Sequence, residues 1–362
     1  NQFLLQFILY LRSNLSALHL FTTDSLVSVL DRFFMIIICG ILLFTNVTGG
    51  VFKIEWFVYV QTISYLMAAT IIFLIVLRKA GKIKLTFNLR FSLVFLKKTY
   101  PYAILILLMA FYNRFDTVLI ERLLPYDEGL RQVSLYAHGF RLLDAVSMFG
   151  VLFAGMLLPI FSRMIKQKQS IADMVSFAFS LIIFISLSIS ISSSFYQNDI
   201  MQWMQYDHAE ESAPIFATLM FCFIPISTTY IFGTLLTANG SIRQLNIMAA
   251  VGMILNITLN LFFIPKFQAL GAAYISLITQ SITALAQVLI AVNIFKFKVP
   301  WMSVLRIAVF AVLVVALGYL SNQLLPHRFF GYILMLFASL MLAFMVKLID
   351  LRKLFNILRD RE

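Results

Sequence analysis

The stretch FYNRFDTVLIER at residues 111–122, followed by AHGFRLLDA at 137–145, places charged side chains inside two long apolar runs. Each run has the ~20 residues that a helix needs to cross the ~30 Å hydrocarbon core of a bilayer. Long unbroken apolar runs indicate helices, because the strands of a membrane barrel alternate polar and apolar residues. These runs therefore predict an all-α, polytopic membrane helix bundle.

The composition of the whole chain agrees with this fold class. Hydrophobic residues make up 61% of the 362 residues and charged residues 12%, whereas a soluble domain has roughly 45–50% apolar and 25% charged residues. The apolar runs predict ten complete spans after one partial helix at residues 1–13. The predicted spans cover residues 25–45, 54–77, 100–122, 133–160, 171–195, 213–237, 244–265, 269–295, 301–324 and 329–349.

Basic residues are distributed unevenly between the two sides of the predicted bundle. Of the 28 Lys and Arg residues, 21 fall on the side of the C-terminus, five on the opposite side, and two inside spans. Because short cytoplasmic loops of membrane proteins collect Lys and Arg, the C-terminus is predicted to be cytoplasmic. The net charge of +12 then needs no nucleic-acid partner.

Two other stretches bear on organisation. The chain opens at Asn1 in what reads as the second half of a helix, without a basic region or a cleavage site, so we expect it to be part of a longer protein. The segment at 78–98 mixes Phe and Leu with Lys and Arg, which is typical of an amphipathic linker at the membrane surface. An ordinary solvated loop is the alternative.

The charges within the spans are the strongest functional signal. An ionisable residue in the hydrocarbon costs about 2.5–3.5 kcal/mol or more, so Arg114, Asp116, Arg141 and Asp144 are expected to face a cavity or one another. Because the two helices run antiparallel, Arg114 can pair with Asp144, or Asp116 with Arg141. The group is either a clasp that only pins two helices or a cation site for an anionic headgroup. Its expected polar neighbours are Asn113, Tyr136 and His138.

A second tier of polar residues lies in other spans. Asp31 and Arg32 are near the predicted cytoplasmic end of their span, where snorkelling would also explain them. Asn256 and Asn260 share one helix face, and such residues more often join helices than bind substrate. Cys39 and Cys222 lie in apolar runs and the histidines are scattered, so the sequence predicts neither a disulfide nor a metal site.

Several segments together carry a family resemblance. They are residues 11–43, FYNRFDTVLIERLL at 111–124, SLYAHGFRLLDAV at 134–146, and residues 238–280. The last segment is the most specific, with Asn256, Asn260, Ile264, Pro265, Gly271, Ala272 and Ala273 in the expected order. The chain resembles the oligosaccharide flippases (Wzx-type polysaccharide exporters) of the multidrug/oligosaccharidyl-lipid/polysaccharide superfamily.

This resemblance implies a two-lobe architecture like that of the multidrug and toxin extrusion (MATE) proteins, with a truncated first lobe. Residues 1–77 would be the remnant of the N-terminal lobe (the end of helix 4 and helices 5–6), and 78–99 the basic linker between lobes. Residues 100–297 would form the six-helix C-terminal lobe (helices 7–12), and 298–362 the terminal helix pair (13–14) with a basic cytoplasmic tail.

The implied function is transport without enzymatic chemistry. A flippase of this kind moves a polyprenyl-diphosphate-linked oligosaccharide across the bacterial inner membrane, from the cytoplasmic to the periplasmic leaflet, by alternating access. The product serves O-antigen (lipopolysaccharide) or other surface polysaccharide biosynthesis, with a polymerase and assembly proteins as partners. Arg114 and Arg141 would bind the diphosphate or acidic sugars. Asp116 and Asp144 would set the charge of the empty site and could couple to H⁺ or Na⁺, with no other cofactor.

Two alternatives remain open from the sequence. A cation-coupled multidrug exporter shares the fold but would want a cavity dominated by carboxylates, which the two arginines argue against. A membrane enzyme that modifies glycans should show a large catalytic loop or an intramembrane histidine with a partner. The longest loop on the non-cytoplasmic side is only residues 196–212.

Overall fold

A computed structural model describes residues 1–18, 20–45, 54–80, 88–204, 208–297, 301–324 and 328–346. Every regular element in these ranges is an α-helix, which confirms the prediction of an all-α membrane bundle. The helices are α1 (Gln2–Ala17), α2 (Phe21–Val27), α3 (Leu30–Phe44), α4 (Ile54–Ala80), α5 (Leu89–Leu123), α6 (Tyr126–Lys166), α7 (Ala172–Phe195), α8 (Gln197–Trp203), α9 (Ala209–Ala238), α10 (Ile242–Phe295), α11 (Trp301–Leu324) and α12 (Arg328–Met345).

The number of spans agrees closely with the sequence. Eight described helical segments are long and apolar enough to cross a membrane, and one of them, α10, contains two of the ten predicted spans. The tenth predicted span corresponds to α12, whose apolar part, Phe330–Met345, is shorter. The chain is therefore a multi-pass membrane protein.

Two helices extend well beyond their predicted spans. Helix α5 begins at Leu89, so residues 89–99 of the predicted linker are helical and continuous with the span. Helix α6 begins at Tyr126 and carries acids in its first turn and bases in its last. Both placements complement the helix dipole and stabilise turns outside the apolar run. Linker residues 81–87 and the basic tail at 347–362 lie outside the described residues.

Helix α10 is a hairpin rather than a single span. Its 54 residues would measure roughly 80 Å as one straight helix, far more than the hydrocarbon thickness. Gln268 interrupts it with non-helical backbone angles (φ 54°, ψ −137°). Asn256, before this break, donates a hydrogen bond of 3.4 Å to the Thr279 hydroxyl after it. The halves α10a (residues 242–267) and α10b (residues 269–295) therefore run antiparallel and in contact.

The chain divides into two compact units, of which the first is Asn1–Ser92. In this unit α4 packs against both α1 and α3. Its core is formed by small and aliphatic side chains of α1 and α4, including Leu15, Ala68 and Ile72, which are fully buried. An ion pair of 2.8 Å between Arg12 and Asp24 links α1 to α2.

The second unit is Leu93–Glu362, and α9 lies at its centre. Helix α9 packs against α6, α7, α8 and α10, and most of its span is buried. It approaches α6 most closely at Gly139, where an added Cβ would lie 2.9 Å from the Cα of Phe216. Helices α11 and α12 pack on each other and on α7. Polar residues that face α9 are thus enclosed by protein.

Candidate functional site

Helix α5 divides its two intramembrane charges between opposite faces. Arg114 and Asp116 are two positions apart, which separates their side chains by about 200° around a helix of 3.6 residues per turn. The Arg114 side chain is 61% exposed, whereas Asp116 is only 1% exposed. One charge therefore lies on the surface of the second unit and the other in its interior.

The surface charges form a compact group, which we call the surface arginine group: Arg114, Phe140, Arg141 and Asp144. The Arg114 guanidinium donates a hydrogen bond of 2.7 Å to Asp144 and lies 4.7 Å from the centre of the Phe140 ring. Arg141 is exposed, and none of the described residues forms an ion pair with it. The group therefore carries one uncompensated positive charge.

Asp116 is the centre of a buried polar network. Its Oδ1 accepts a hydrogen bond of 2.8 Å from the Asn260 amide. Its Oδ2 accepts one of 2.9 Å from the Tyr136 hydroxyl and another from the Ser276 hydroxyl. These partners come from α6, α10a and α10b, and no ion pair to Asp116 exists in the described part of the chain. The predicted alternative of Asp116 pairing with Arg141 is thereby excluded, and Arg114 pairs with Asp144.

The two asparagines of α10a extend this network. The Asn260 amide also donates a hydrogen bond of 3.1 Å to Asn256 Oδ1, and Asn256 in turn reaches Thr279 on α10b. Asn256 and Asn260 are 1% and 0% exposed. They therefore contact the carboxylate and the other half of the hairpin, and they lie away from the surface arginine group.

A cavity of about 160 Å³ lies between the surface group and the buried network. Helices α5, α6, α9 and α10 form its walls, which include Arg114, Asp144 and Ser276. Asn113 Oδ1 accepts a hydrogen bond of 2.9 Å from Gln280, and the Tyr112 hydroxyl bonds to Thr283 at 3.3 Å. The cavity walls are thus mostly apolar, with amides and hydroxyls along the rest and an ion pair on the border.

Sequence reasoning missed the residues that α10b contributes to this cavity, because they are uncharged. The signal was available in their spacing: Ser276, Gln280, Thr283 and Gln287 recur every three or four residues in an otherwise apolar helix. The second-tier pair lies elsewhere. Asp31 and Arg32 are 3.6 Å apart in the first unit, and the Arg32 side chain is 67% exposed.

Comparison with known proteins shows a likeness in fold. No family model and no curated protein matches the sequence. A solved structure described as "Lipid II flippase MurJ, inward closed conformation" superposes with a TM-score of 0.61 over 91% of this chain and 68% of that chain. The chain shares this fold. At 17% sequence identity the likeness concerns architecture, and the chemistry of the site rests on the residues described above.

Proposed function

We propose that this chain is a flippase that moves a lipid-linked oligosaccharide between the leaflets of a bacterial inner membrane, with its C-terminus in the cytoplasm. The observation that carries the proposal is the surface arginine group, which exposes a free cation on an apolar helix face. Such a charge is costly in lipid and is normally retained for a substrate or ion path. The fold that the chain shares with a solved flippase supports the same function.

The chemistry of the group fits a diphosphate headgroup. The guanidinium of arginine presents paired donors that match phosphate oxygens, and charge-assisted hydrogen bonds of this kind are the strong ones. Arg141 is free to bind a phosphate directly. Arg114 is held by Asp144 and by the face of Phe140, so an arriving phosphate can replace the carboxylate as its partner. Asp144 thus neutralises Arg114 while the site is empty, and Arg141 leaves the group with its one uncompensated positive charge.

The buried network supplies a place for the coupling cation in this scheme. Asp116, Asn256, Asn260, Ser276 and Thr279 bring carboxylate, amide and hydroxyl oxygens together. A buried carboxylate without a basic partner is the arrangement by which transporters hold H⁺ or a small cation. Binding of the cation would neutralise Asp116, and its release would restore the negative charge. This change in charge would bias the alternation between inward-facing and outward-facing states. A polysaccharide polymerase and assembly proteins would act on the exported unit.

The test replaces the surface cations in the full-length protein. Arg114→Gln and Arg141→Gln should each abolish export of surface glycan while membrane abundance stays near that of the wild type. The matched control is Arg243→Gln, an exposed arginine at the start of α10 that lies outside the group. Loss of the protein itself, rather than of export, would support the clasp interpretation.

A charge exchange separates the two roles of the ion pair. The double variant Arg114→Asp with Asp144→Arg keeps an ion pair between α5 and α6 but moves the cation to the other helix. We expect it to restore abundance relative to Arg114→Asp alone and to leave export defective. Full export by the exchanged protein would show that the pair only joins helices.

An uptake assay with a cationic dye tests the multidrug alternative, for which we expect no transport.

A further inference from the structure

Helix α10b carries a continuous row of polar side chains on one face, which we call the α10b stripe: Ser276, Gln280, Thr283 and Gln287. Their spacing of three or four residues aligns them along the helix. All four are at least nine-tenths buried, with exposures of 8%, 9%, 6% and 1%. The stripe begins at Ser276, which contacts Asp116, and runs along α10b away from the α5–α6 turn.

Two cavities follow this stripe through the second unit. The first, of about 160 Å³, is lined by all four stripe residues. The second, of about 290 Å³, shares Gln287, Thr229 and Tyr230 with the first and extends as far as Thr237 at the end of α9. From Leu219 in the first cavity to Thr237 in the second, α9 rises about 27 Å. The two cavities together span most of the hydrocarbon thickness, ending on the side of the α6–α7 turn.

Several polar atoms along this course have no partner. Gln287 Oε1, Ser147 Oγ and Thr229 Oγ1 are buried and accept or donate no hydrogen bond among the described residues. All three side chains line the first cavity. A buried polar atom left unpaired costs about 1–3 kcal/mol, so three of them around one cavity, on α6, α9 and α10b, are poorly explained by packing alone. They suit a ligand that moves past them and bonds to each in turn.

From these observations we infer that the α10b stripe and the two cavities form a cation path inside the second unit. The path connects Asp116 with the side of the α6–α7 turn, which the basic residues predict to be cytoplasmic. Beyond the Arg114–Asp144 pair, amide and hydroxyl groups lie along walls that are otherwise mostly apolar, and these neutral oxygens suit a small hydrated cation or a proton. This inference rests on the proposed coupling role of Asp116. The path passes the Arg114–Asp144 pair at the border of the first cavity and otherwise follows α10b, so it meets the surface used by the anionic lipid-linked substrate only there.

The experiment measures which positions of α10b water and a small cation can reach. In the full-length protein without native cysteines (Cys39→Ala, Cys222→Ala), single cysteines are placed at stripe positions (Gln280→Cys, Thr283→Cys). Matched controls on the same helix, Ile282→Cys and Leu289→Cys, replace side chains that are 48% and 60% exposed on the apolar face. Inside-out vesicles are treated with a membrane-impermeant, positively charged methanethiosulfonate, and the rate of modification is followed.

We expect the stripe cysteines to react about tenfold or more faster than the controls, because only a hydrated thiol ionises to the reactive thiolate. Sodium ions that occupy the path should slow this reaction at the stripe cysteines and leave the control cysteines unchanged. Equal rates at stripe and control positions would overturn the inference. If export in the same background still requires Asp116, the coupling proposal survives that result.

A second variant makes the two failures distinguishable. Asp116→Asn in the Thr283→Cys background should keep the fast labelling but remove the protection by sodium, which supports both the path and the site at its end. Fast labelling with sodium protection that is unchanged by Asp116→Asn would overturn the coupling role of Asp116, whereas slow labelling in both proteins would overturn the path. Membrane abundance and elution by size exclusion identify any variant that fails to fold, and Gln287→Cys, at a stripe position that lines both cavities, then replaces it.

Discussion

The substitution Asp116→Asn keeps the shape of a buried side chain and removes its charge. The new amide oxygen can still accept hydrogen bonds from the Tyr136 and Ser276 hydroxyls, but its NH₂ group then faces the amide nitrogen of Asn260. Asn260 Oδ1 has no partner among the described residues. If the Asn260 side-chain amide rotates by a half turn, its Oδ1 accepts a hydrogen bond from the new NH₂ group. The Asn260 NH₂ group then loses its hydrogen bond to Asn256. The net loss is one hydrogen bond, about 1 kcal/mol of the free energy of unfolding.

Asp116→Ala differs because it leaves donors without an acceptor. The hydroxyls of Tyr136 and Ser276 lie 3.3 Å apart and can bond to each other. One hydroxyl hydrogen and one N–H of the Asn260 amide, whose other N–H still bonds to Asn256, then remain unpaired in the interior. At about 1–3 kcal/mol for each unpaired buried donor, this variant should lose about 2–6 kcal/mol.

Thermal unfolding of the purified full-length protein in detergent, followed by size exclusion, measures both changes. We expect the Ala variant to unfold at a clearly lower temperature and the Asn variant to unfold close to the wild type, yet to fail in export because the charge is absent. The control Asp144→Asn alters a side chain that is 47% exposed and should cost about 1 kcal/mol or less. Equal unfolding temperatures for the Ala and Asn variants would refute the view that the network stabilises the bundle. Normal export by the Asn variant would refute the coupling role.

Three further predictions concern the frame of the second unit, and each is checked by the same thermal unfolding assay. Gln132→Ala should cost about 1–3 kcal/mol, because Gln132 donates a hydrogen bond to the Gln268 side chain at the break in α10 and accepts one of 3.2 Å from the Ala269 backbone N–H just after it; unchanged stability would show that the break does not depend on these bonds. Gly139→Leu should destabilise the α6–α9 contact strongly, whereas Gly155→Leu, with open space around it, should not. Tyr196→Phe should lose about 0.5–1.5 kcal/mol with its hydrogen bond to α11, and no loss would mean that apolar contacts alone hold the terminal helix pair.

The fold class could be predicted from the sequence because hydrophobicity is a local property of each segment. The ten apolar runs correspond to described helices, and the two runs that form α10 were separated at the correct place, near Gln268. The ends of α5 and α6 were predicted less well. Those turns extend beyond the apolar runs and are stabilised by helix-dipole charges and continuity with the span, which a hydropathy pattern does not record.

Only some of the contacts in the candidate site could be predicted from the sequence. The opposite faces of Arg114 and Asp116 follow from their spacing alone, although they were expected to serve one cavity. The choice of Asp144 as the partner of Arg114 depends on how α6 is rotated about its own axis, which only packing against α9 determines. Of the donors to Asp116, Tyr136 was among the expected polar neighbours, whereas Asn260 and Ser276 are 140 or more residues away on α10, so no local pattern could identify those two.

The hairpin of α10 has a consequence for how the protein enters the membrane. Its halves turn at Gln268 without a connecting loop. No hydrophilic segment between them would therefore stay at the membrane surface while the second half is inserted after the first. Either half alone would expose amides and hydroxyls to hydrocarbon, where each unpaired group is costly. As a pair, the two halves provide hydrogen-bond partners for some of these polar groups, since Asn256 bonds to Thr279 across the hairpin. We therefore expect α10a and α10b to enter the membrane together as one helical hairpin. The part of the Asp116 network that α10 supplies is then in place before α5 packs against it.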